Sequence, residues 1–353
     1  MLLNSFSRRL LSLPALYSES TQNHRSVVNS LGKPRKFLTL DDVDIVRNPG
    51  EEYLDEFMKA YGSQRLNFKR NDIQMWKNAF GCDYNLQFLC LKDTKQIIQT
   101  THYFNYKPIH PELDPPHQYH GFLWVDEDFR GKDTMLLVDY CMRSEMSGFS
   151  ENCAAQCFPT SLNMFRKVHG DVQHTYATYV SYYDPSELRV PENLNVDGII
   201  VKNASKVADK DIEAYDQDIF PYEKRSGYMI ANLRDPDGIG KIAYDSNGTV
   251  IGLGALIIYP SGECMLNPLY ANNTKVAQAL FKSMLLEMPL NDDKLLRFHI
   301  KSLDRGNENW IWIRPFLKVP LRRELMAYGM FTRRPARVDY RKVFCGLSVT
   351  TSS

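Results

Sequence analysis

The sequence predicts a mixed α/β chain (α+β in its layering) of two halves, each a mostly antiparallel mixed sheet flanked by helices. Three observations predict it. At 353 residues the chain is about two domains long, at roughly 150 residues per domain. Period-two and period-3.6 hydrophobic patterns alternate along nearly all of it. The order of those patterns in the first half is repeated in the second, although the residues are not.

In the first half Val43–Val46 reads as a strand, and Glu51–Tyr61 and Asp72–Phe80 as helices. Tyr53, Leu54, Phe57, Met58 and Tyr61 recur at helical spacing. Tyr84–Leu91 and Gln96–Tyr106 form a hairpin across the polar turn Lys92 to Lys95. A proline-rich loop, Pro108–Pro116, precedes the strand Tyr119–Val125. The acidic, glycine-containing turn Asp126–Lys132 then enters a helix at Thr134–Met146. Cys153–Cys157, Ser161–Val168 and Val172–Tyr182 read as strand, short helix and strand. The proline- and charge-rich stretch Pro185–Pro191 marks the boundary, giving a first domain over 40–184 and a second over 192–350.

The second half begins again with a strand at Gly198–Val201 and helices at Asp209–Phe220 and Gly227–Leu233. Lys241–Tyr244 and Val250–Tyr259 flank Asn247-Gly248, a strong two-residue hairpin signal. Glu263–Leu266 is the next strand. Thr274–Glu287 is a helix with Val276, Ala277, Leu280, Phe281 and Met284 at core spacing, and Leu295–Lys301 is a strand after it.

Composition excludes several classes. Hydrophobic residues make up 43% and charged residues 24%, which is ordinary for a globular chain. Forty-three Lys and Arg balance 42 Asp and Glu, so the phosphate-neutralising excess of nucleic-acid binders is missing. No apolar run is long enough to span a bilayer. Seven cysteines without regular spacing read as reduced thiols. Residues 1–36 differ from the rest. Arg8, Arg9, Arg25, Lys33, Arg35 and Lys36 stand against the single acid Glu19, among seven serines. Leu2, Leu3, Phe6, Leu10 and Leu13 would share one helical face. A mitochondrial presequence has this composition, and a plain terminal tail is the alternative. A secretory signal fits less well, because Pro14 breaks the short apolar run. The expected address is mitochondrial or cytoplasmic.

The order of elements, with a turn entering a helix after the fourth strand, resembles the GCN5-related N-acetyltransferase (GNAT) fold. The run Gly121-Phe-Leu-Trp-Val-Asp-Glu-Asp-Phe-Arg-Gly-Lys-Asp133, leading into Thr134 to Val138, carries the resemblance. GNAT enzymes usually have a strand, then Arg/Gln-x-x-Gly-x-Gly/Ala, then a helix. Arg130 matches the first motif position, but Asp133 and Met135 stand where two small residues belong. The second half resembles the C-terminal domain of YitH-type acetyltransferases through Met265 to Ala271, the helix through Val276–Leu280, and the ending Tyr328-Gly-Met-Phe331, Arg333-Arg334 and Lys342–Phe344. Residues 40–350 as a whole are similar to an uncharacterised tandem-GNAT family abundant in nematodes.

The resemblance implies an acyl-CoA-dependent N-acyltransferase that carries the acetyl group of acetyl-CoA to a small amine. A GNAT-fold protein that has lost catalysis and binds a ligand or protein partner is the alternative. The resemblance implies the donor between the fourth and fifth strands, against Leu123, Trp124 and Val125. The pyrophosphate would lie at Arg130, Gly131, Lys132, Asp133 and Thr134, where main-chain N–H groups at a helix start hold anions. Arg130 and Lys132 can add charge-assisted bonds, or be solvated turn residues. The Asp133 carboxylate would repel the phosphate, and Met135 would crowd the main-chain approach. Asp126 and Glu127, with Asp128, stand where a base to strip the ammonium sits in some GNAT enzymes, or form a solvated acidic turn. The usual tyrosine acid is replaced by Arg166. Tyr176, with Tyr179 and Tyr182, is the substitute for it, or a core aromatic. In the second half Asn272, Asn273 and Thr274 open a helix whose N–H groups could hold an anion, or that an ordinary N-cap at Asn273 explains without a ligand.

No metal is expected. His117-x-x-His120 and Cys153-x-x-x-Cys157 lack partners at ligand spacing. Trp310, Trp312 and Phe316 read as core. No Walker loop, dinucleotide fingerprint or nucleophile elbow is present. The acceptor is expected to be a small molecule rather than nucleic acid or membrane.

Overall fold

The computed structural model describes residues 38, 40–62, 68–129, 152–163, 166, 172–290, 293–304 and 309–346. The strands are β1 (Val43–Arg47), β2 (Tyr84–Leu91), β3 (Ile97–Tyr106), β4 (His117–Val125), β5 (Cys153–Cys157) and β6 (Gln173–Tyr183) in the first half. Those of the second half are β7 (Ile200–Asn203), β8 (Gly238–Tyr244), β9 (Val250–Ile258), β10 (Glu263–Ala271), β11 (Arg297–Asp304), β12 (Glu324–Phe331) and β13 (Val343–Cys345). The α-helices are α1 (Glu51–Gly62), α2 (Arg70–Phe80), α3 (Asp209–Ile219), α4 (Arg225–Leu233) and α5 (Thr274–Glu287). The helix expected at Thr134–Met146 lies outside the described residues, as does half of the one at Ser161–Val168.

Local signals explain most of these elements. The Asp245 carboxylate accepts the N–H groups of Asn247 and Thr249, and Gly248 takes a φ of 81°, so the β8–β9 hairpin turns where Asn-Gly requires. At the start of α2 the Asp72 carboxylate accepts the Lys69 N–H at 3.0 Å. Asn273 caps α5 by accepting the N–H of Val276 at 3.1 Å.

The mixed, mostly antiparallel architecture is the expected one, but the two sheets are not separate. Among the described residues thirteen strands join in a single sheet in the order β1-β2-β3-β4-β5-β12-β6-β11-β13-β10-β9-β8-β7. The halves have exchanged their closing strands. β12 of the second half pairs with β5, from Tyr328–Cys157 to Phe331–Ala154. β6 of the first half pairs with β11, from Phe298–Tyr183 to Asp304–Ala177. β6 and β12 pair with each other at the centre. An unpaired strand edge is a liability in water, and the exchange satisfies both inner edges at once. The division expected at Pro185–Pro191 falls in the connection from β6 to β7.

One hydrophobic cluster follows from this arrangement and runs across both halves. It includes Phe57, Trp76, Phe80, Phe104, Tyr119 and Tyr176 of the first half and Ile212, Tyr228, Met229 and Tyr270 of the second. The second half's other face packs Leu256, Leu266, Leu269, Phe298 and Ile300 against α5 and the 3-10 turns of Asn309–Phe316. Trp312 and Phe316 are buried there, as expected, with Phe281 edge-on to both. Burying each such aromatic is worth about 1.5–3 kcal/mol. Polar contacts stitch the seam between the halves. Lys69 Nζ bonds Asp235 at 2.5 Å and Asp237 at 2.9 Å. Lys224 pairs with Asp83, and Arg337 grips Asp114 with two bonds of 3.0 Å.

Candidate functional site

β4 and β5 begin as parallel neighbours and then part. Their register runs through Gln118–Cys153, Tyr119–Ala154 and His120–Ala155 and stops there. Among the described residues β4 continues to Val125 paired only with β3. β5 continues through Gln156 and Cys157, paired only with Gly329 and Tyr328 of β12. Among the described residues, no strand fills the wedge between them. The parting coincides with an irregularity on β4. His102 pairs with Gly121 and Thr100 with Trp124, so Phe122 and Leu123 together oppose Thr101. Such bulges re-aim strands beside functional sites. The Thr101 hydroxyl donates to the Gly121 carbonyl at 3.3 Å and fixes it.

Leu123, Trp124 and Val125 therefore line the wedge on the β4 side. Leu123 is 45% exposed and Trp124 is buried. On the β5 side stand Gln156, Cys157 and the half-exposed Phe158. Burial pushes the Cys157 thiol up to about 11, so it holds its proton and is a poor nucleophile. Past the open end, the Asp126 N–H donates to Ile98 and its carboxylate accepts the Asp128 N–H at 3.0 Å. Asp126 thereby shapes the turn Glu127–Phe129, on which Glu127 is exposed. Arg130, Gly131, Lys132, Asp133 and Thr134 lie outside the described residues.

Tyr176 is buried on β6, packed against Tyr340 with ring centroids 5.3 Å apart. Tyr119, which reads in the sequence as no more than a strand residue, sits one position before the strands part. Its hydroxyl is hydrogen-bonded to the Gln156 main chain, and burial holds its proton far above the ordinary phenol range. Only the fold could bring it forward, because the signal is the end of the β4–β5 pairing.

The second half repeats the geometry with one difference. β10 and β11 run parallel from Glu263–Arg297 to Leu266–Ile300 and then part. Here β13 enters the wedge. Leu269 pairs with Cys345, Tyr270 with Val343, and Ser302 with Cys345 from the other side. Phe344 and Cys345 are buried, and the Gly346 N–H reaches the Lys301 carbonyl. Asn273 spends its side chain on its own helix. The second wedge is full.

Other sequence motifs resolve into packing. His117 is fully buried against Tyr106, Tyr222 and Phe331, and burial lowers its pKa to about 3. Among the described residues no cluster of three or more His, Cys, Asp or Glu can hold a metal ion. Among the described residues six cysteines are free thiols, five of them buried. No described helix is long and apolar enough to cross a membrane.

A family model described as "Protein of unknown function (DUF1248)" matches residues 40–219, just over half of the 353. No curated protein matches the sequence. Solved structures similar to the chain share its fold at low identity. A proposed acetyltransferase from Pyrococcus horikoshii superposes with a TM-score of 0.60 at 14% identity, over 93% of this chain and 99% of that one. A tandem GNAT protein from the clavulanic acid biosynthesis pathway gives 0.58 at 8%, over 82% and 98%. Saccharomyces cerevisiae N-myristoyltransferase, solved with bound myristoyl-CoA, gives 0.55 at 11%, over 88% and 86%. The chain has the GNAT fold in tandem.

Proposed function

The chain belongs to the DUF1248 family, and from its tandem GNAT fold we propose that it is an acyl-CoA-dependent N-acyltransferase whose donor site is the first half. The observation that carries this is the contrast between the wedges: among the described residues no strand fills the one beside β4, and the one beside β10 holds β13. Parted strands present main-chain N–H and C=O groups that a pantetheine arm can pair with. Leu123, Trp124 and Val125 would line that arm, with acetyl-CoA as the donor. Arg130, Gly131, Lys132, Asp133 and Thr134 would receive the pyrophosphate.

The chemistry asked of the protein is modest. A neutral amine attacks the thioester carbon, forming the C–N bond. The C–S bond then breaks, and its electron pair leaves on sulfur. One proton comes off nitrogen and one goes to sulfur, so a base and an acid balance. Asp126 or Glu127, just past the end of β4, would take the first proton. Tyr176 would give the second. The acceptor is a small amine. Mixing the protein with acetyl-CoA and a pooled amine library and following thiol release tests this. Amine-dependent release supports the reading, and binding of acetyl-CoA without release under any amine favours the ligand-binding alternative. No binding at millimolar acetyl-CoA rejects both the donor site and the enzyme.

A further inference from the structure

We propose that Gly329, supplied by the second half, is a positioning residue for the acyl-transfer centre of the first; the role rests on the donor reading above. Gly329 lies on β12, paired with Gln156 of β5 on one side and Tyr176 of β6 on the other. A methyl group at Gly329 would stand 2.3 Å from Cε1 and Cζ of Tyr176 and 2.7 Å from Cε2. Those are ring atoms, with no flexible end to swing aside. The far edge of the Tyr176 ring therefore lies over β12, in a slot that only glycine leaves.

What the slot points toward gives it meaning. Beyond β12 comes β5, and beyond β5 the wedge. Tyr119 reaches the same place from β4, its hydroxyl on the Gln156 main chain, and it is close enough to Tyr176 to feel it electrostatically. Two tyrosines from opposite sides thus converge beneath the point where β4 and β5 separate. Tyr340 closes the far side of Tyr176. Any other residue at 329 would push the ring back toward β6, away from the wedge. The strand exchange is what places a glycine of the second half there. The second half, its own wedge filled, thus builds the floor of the first half's site.

The position of Tyr176 relative to the donor sulfur is measured by comparing coenzyme A with desulfo-coenzyme A, which lacks only the thiol, in calorimetric titrations of the full chain. Wild type is expected to prefer coenzyme A by about three- to tenfold, the worth of one hydrogen bond. Tyr176→Phe and Gly329→Ala should each erase that preference while leaving desulfo-coenzyme A binding within about twofold, since they remove or displace one hydroxyl and leave the wedge. A preference that survives in either folded variant, or that wild type never shows, overturns the proposal. Wild type binding neither ligand instead defeats the donor reading itself. Should Gly329→Ala fail to fold, the double variant Gly329→Ala with Tyr176→Ala removes the clash. Recovery of its melting temperature supports the slot, and no recovery overturns it.

Discussion

Leu269 of β10 and Cys345 of β13 face each other as a strand pair, and that pair fills in the second half the space that no strand among the described residues fills in the first. Phe344, between Val343 and Cys345, is buried against Trp312. The chain should therefore bind one equivalent of acetyl-CoA. Calorimetric stoichiometry checks this, and two independent equivalents would show that β13 yields its place.

The roles given to Asp126 and Glu127 can be separated by how each is held. Asp126 shapes its turn through the Asp128 N–H, so Asp126→Asn should keep the turn, because the amide oxygen still accepts. If Asp126 or Glu127 is the base, Asp126→Asn or Glu127→Gln should lower amine-dependent thiol release by about 100-fold, within the usual range for general base catalysis. Donor binding should not change. Full activity in both variants would remove them from the mechanism.

Asp72 links stability to pH. Burial raises its carboxyl pKa from 3.8 to about 7, against the opposing pull of Lys69, with Asp235 and Asp237 raising it further. Tyr84 and Tyr259 are the other titratable groups near it. Because the folded value is above the unfolded one, the protonated form stabilises the fold. That contribution is complete below about pH 4 and is lost as pH rises through about 7. Asp72→Asn keeps an acceptor for the Lys69 N–H and removes the ionisation. The variant should be more stable than wild type at pH 8 but not at pH 4. The gain at pH 8 should exceed about 1 kcal/mol, because moving a pKa by a single pH unit corresponds to about 1.4 kcal/mol. Melting curves at the two pH values check this, and a difference that is constant with pH would contradict it.

Asp216 and Arg225 form a buried pair at 2.8 Å, with Ser226 on the other carboxylate oxygen and Tyr270 on the guanidinium. The Phe220 ring centre lies 3.5 Å from the guanidinium carbon. Asp216→Ala strands a charge in the core and should cost about 3–5 kcal/mol in urea unfolding. Replacing both by Leu and Met should cost much less. Equal losses would mean the pair itself carries the stability.

Local pattern made most elements legible. Tyr84–Leu91, Cys153–Cys157 and Thr274–Glu287 form with the bounds their periodicity predicts, and most others agree within a few residues. β10 runs on to Ala271 beyond the expected Leu266, past a shift in its pairing with β9 between Leu266 and Leu269. The exchange of β6 and β12 was not legible. Val172–Tyr182 reads as a strand whichever partner it takes, and pairing across more than 100 residues leaves no local mark. β13 was hidden for a related reason. Val343–Cys345 is three residues long, too short for a period, and its meaning comes from standing between β10 and β11. The family resemblance pointed to β4 but not to Tyr119, and it ran through Gly329 without giving it a role; the importance of both lies in what the folded sheet brings beside them.

Whether the first wedge, and not the second, holds an acyl-CoA donor is decided by titrating acetyl-CoA into the full chain and into Arg130→Ala. Wild type is expected to bind one equivalent. Arg130→Ala should lose at least about tenfold in affinity, since one charge-assisted bond to phosphate is worth about 1.5–3 kcal/mol. Its melting temperature without ligand should be unchanged. No heat at millimolar acetyl-CoA, or undiminished binding by a folded Arg130→Ala, would contradict a donor in the first wedge.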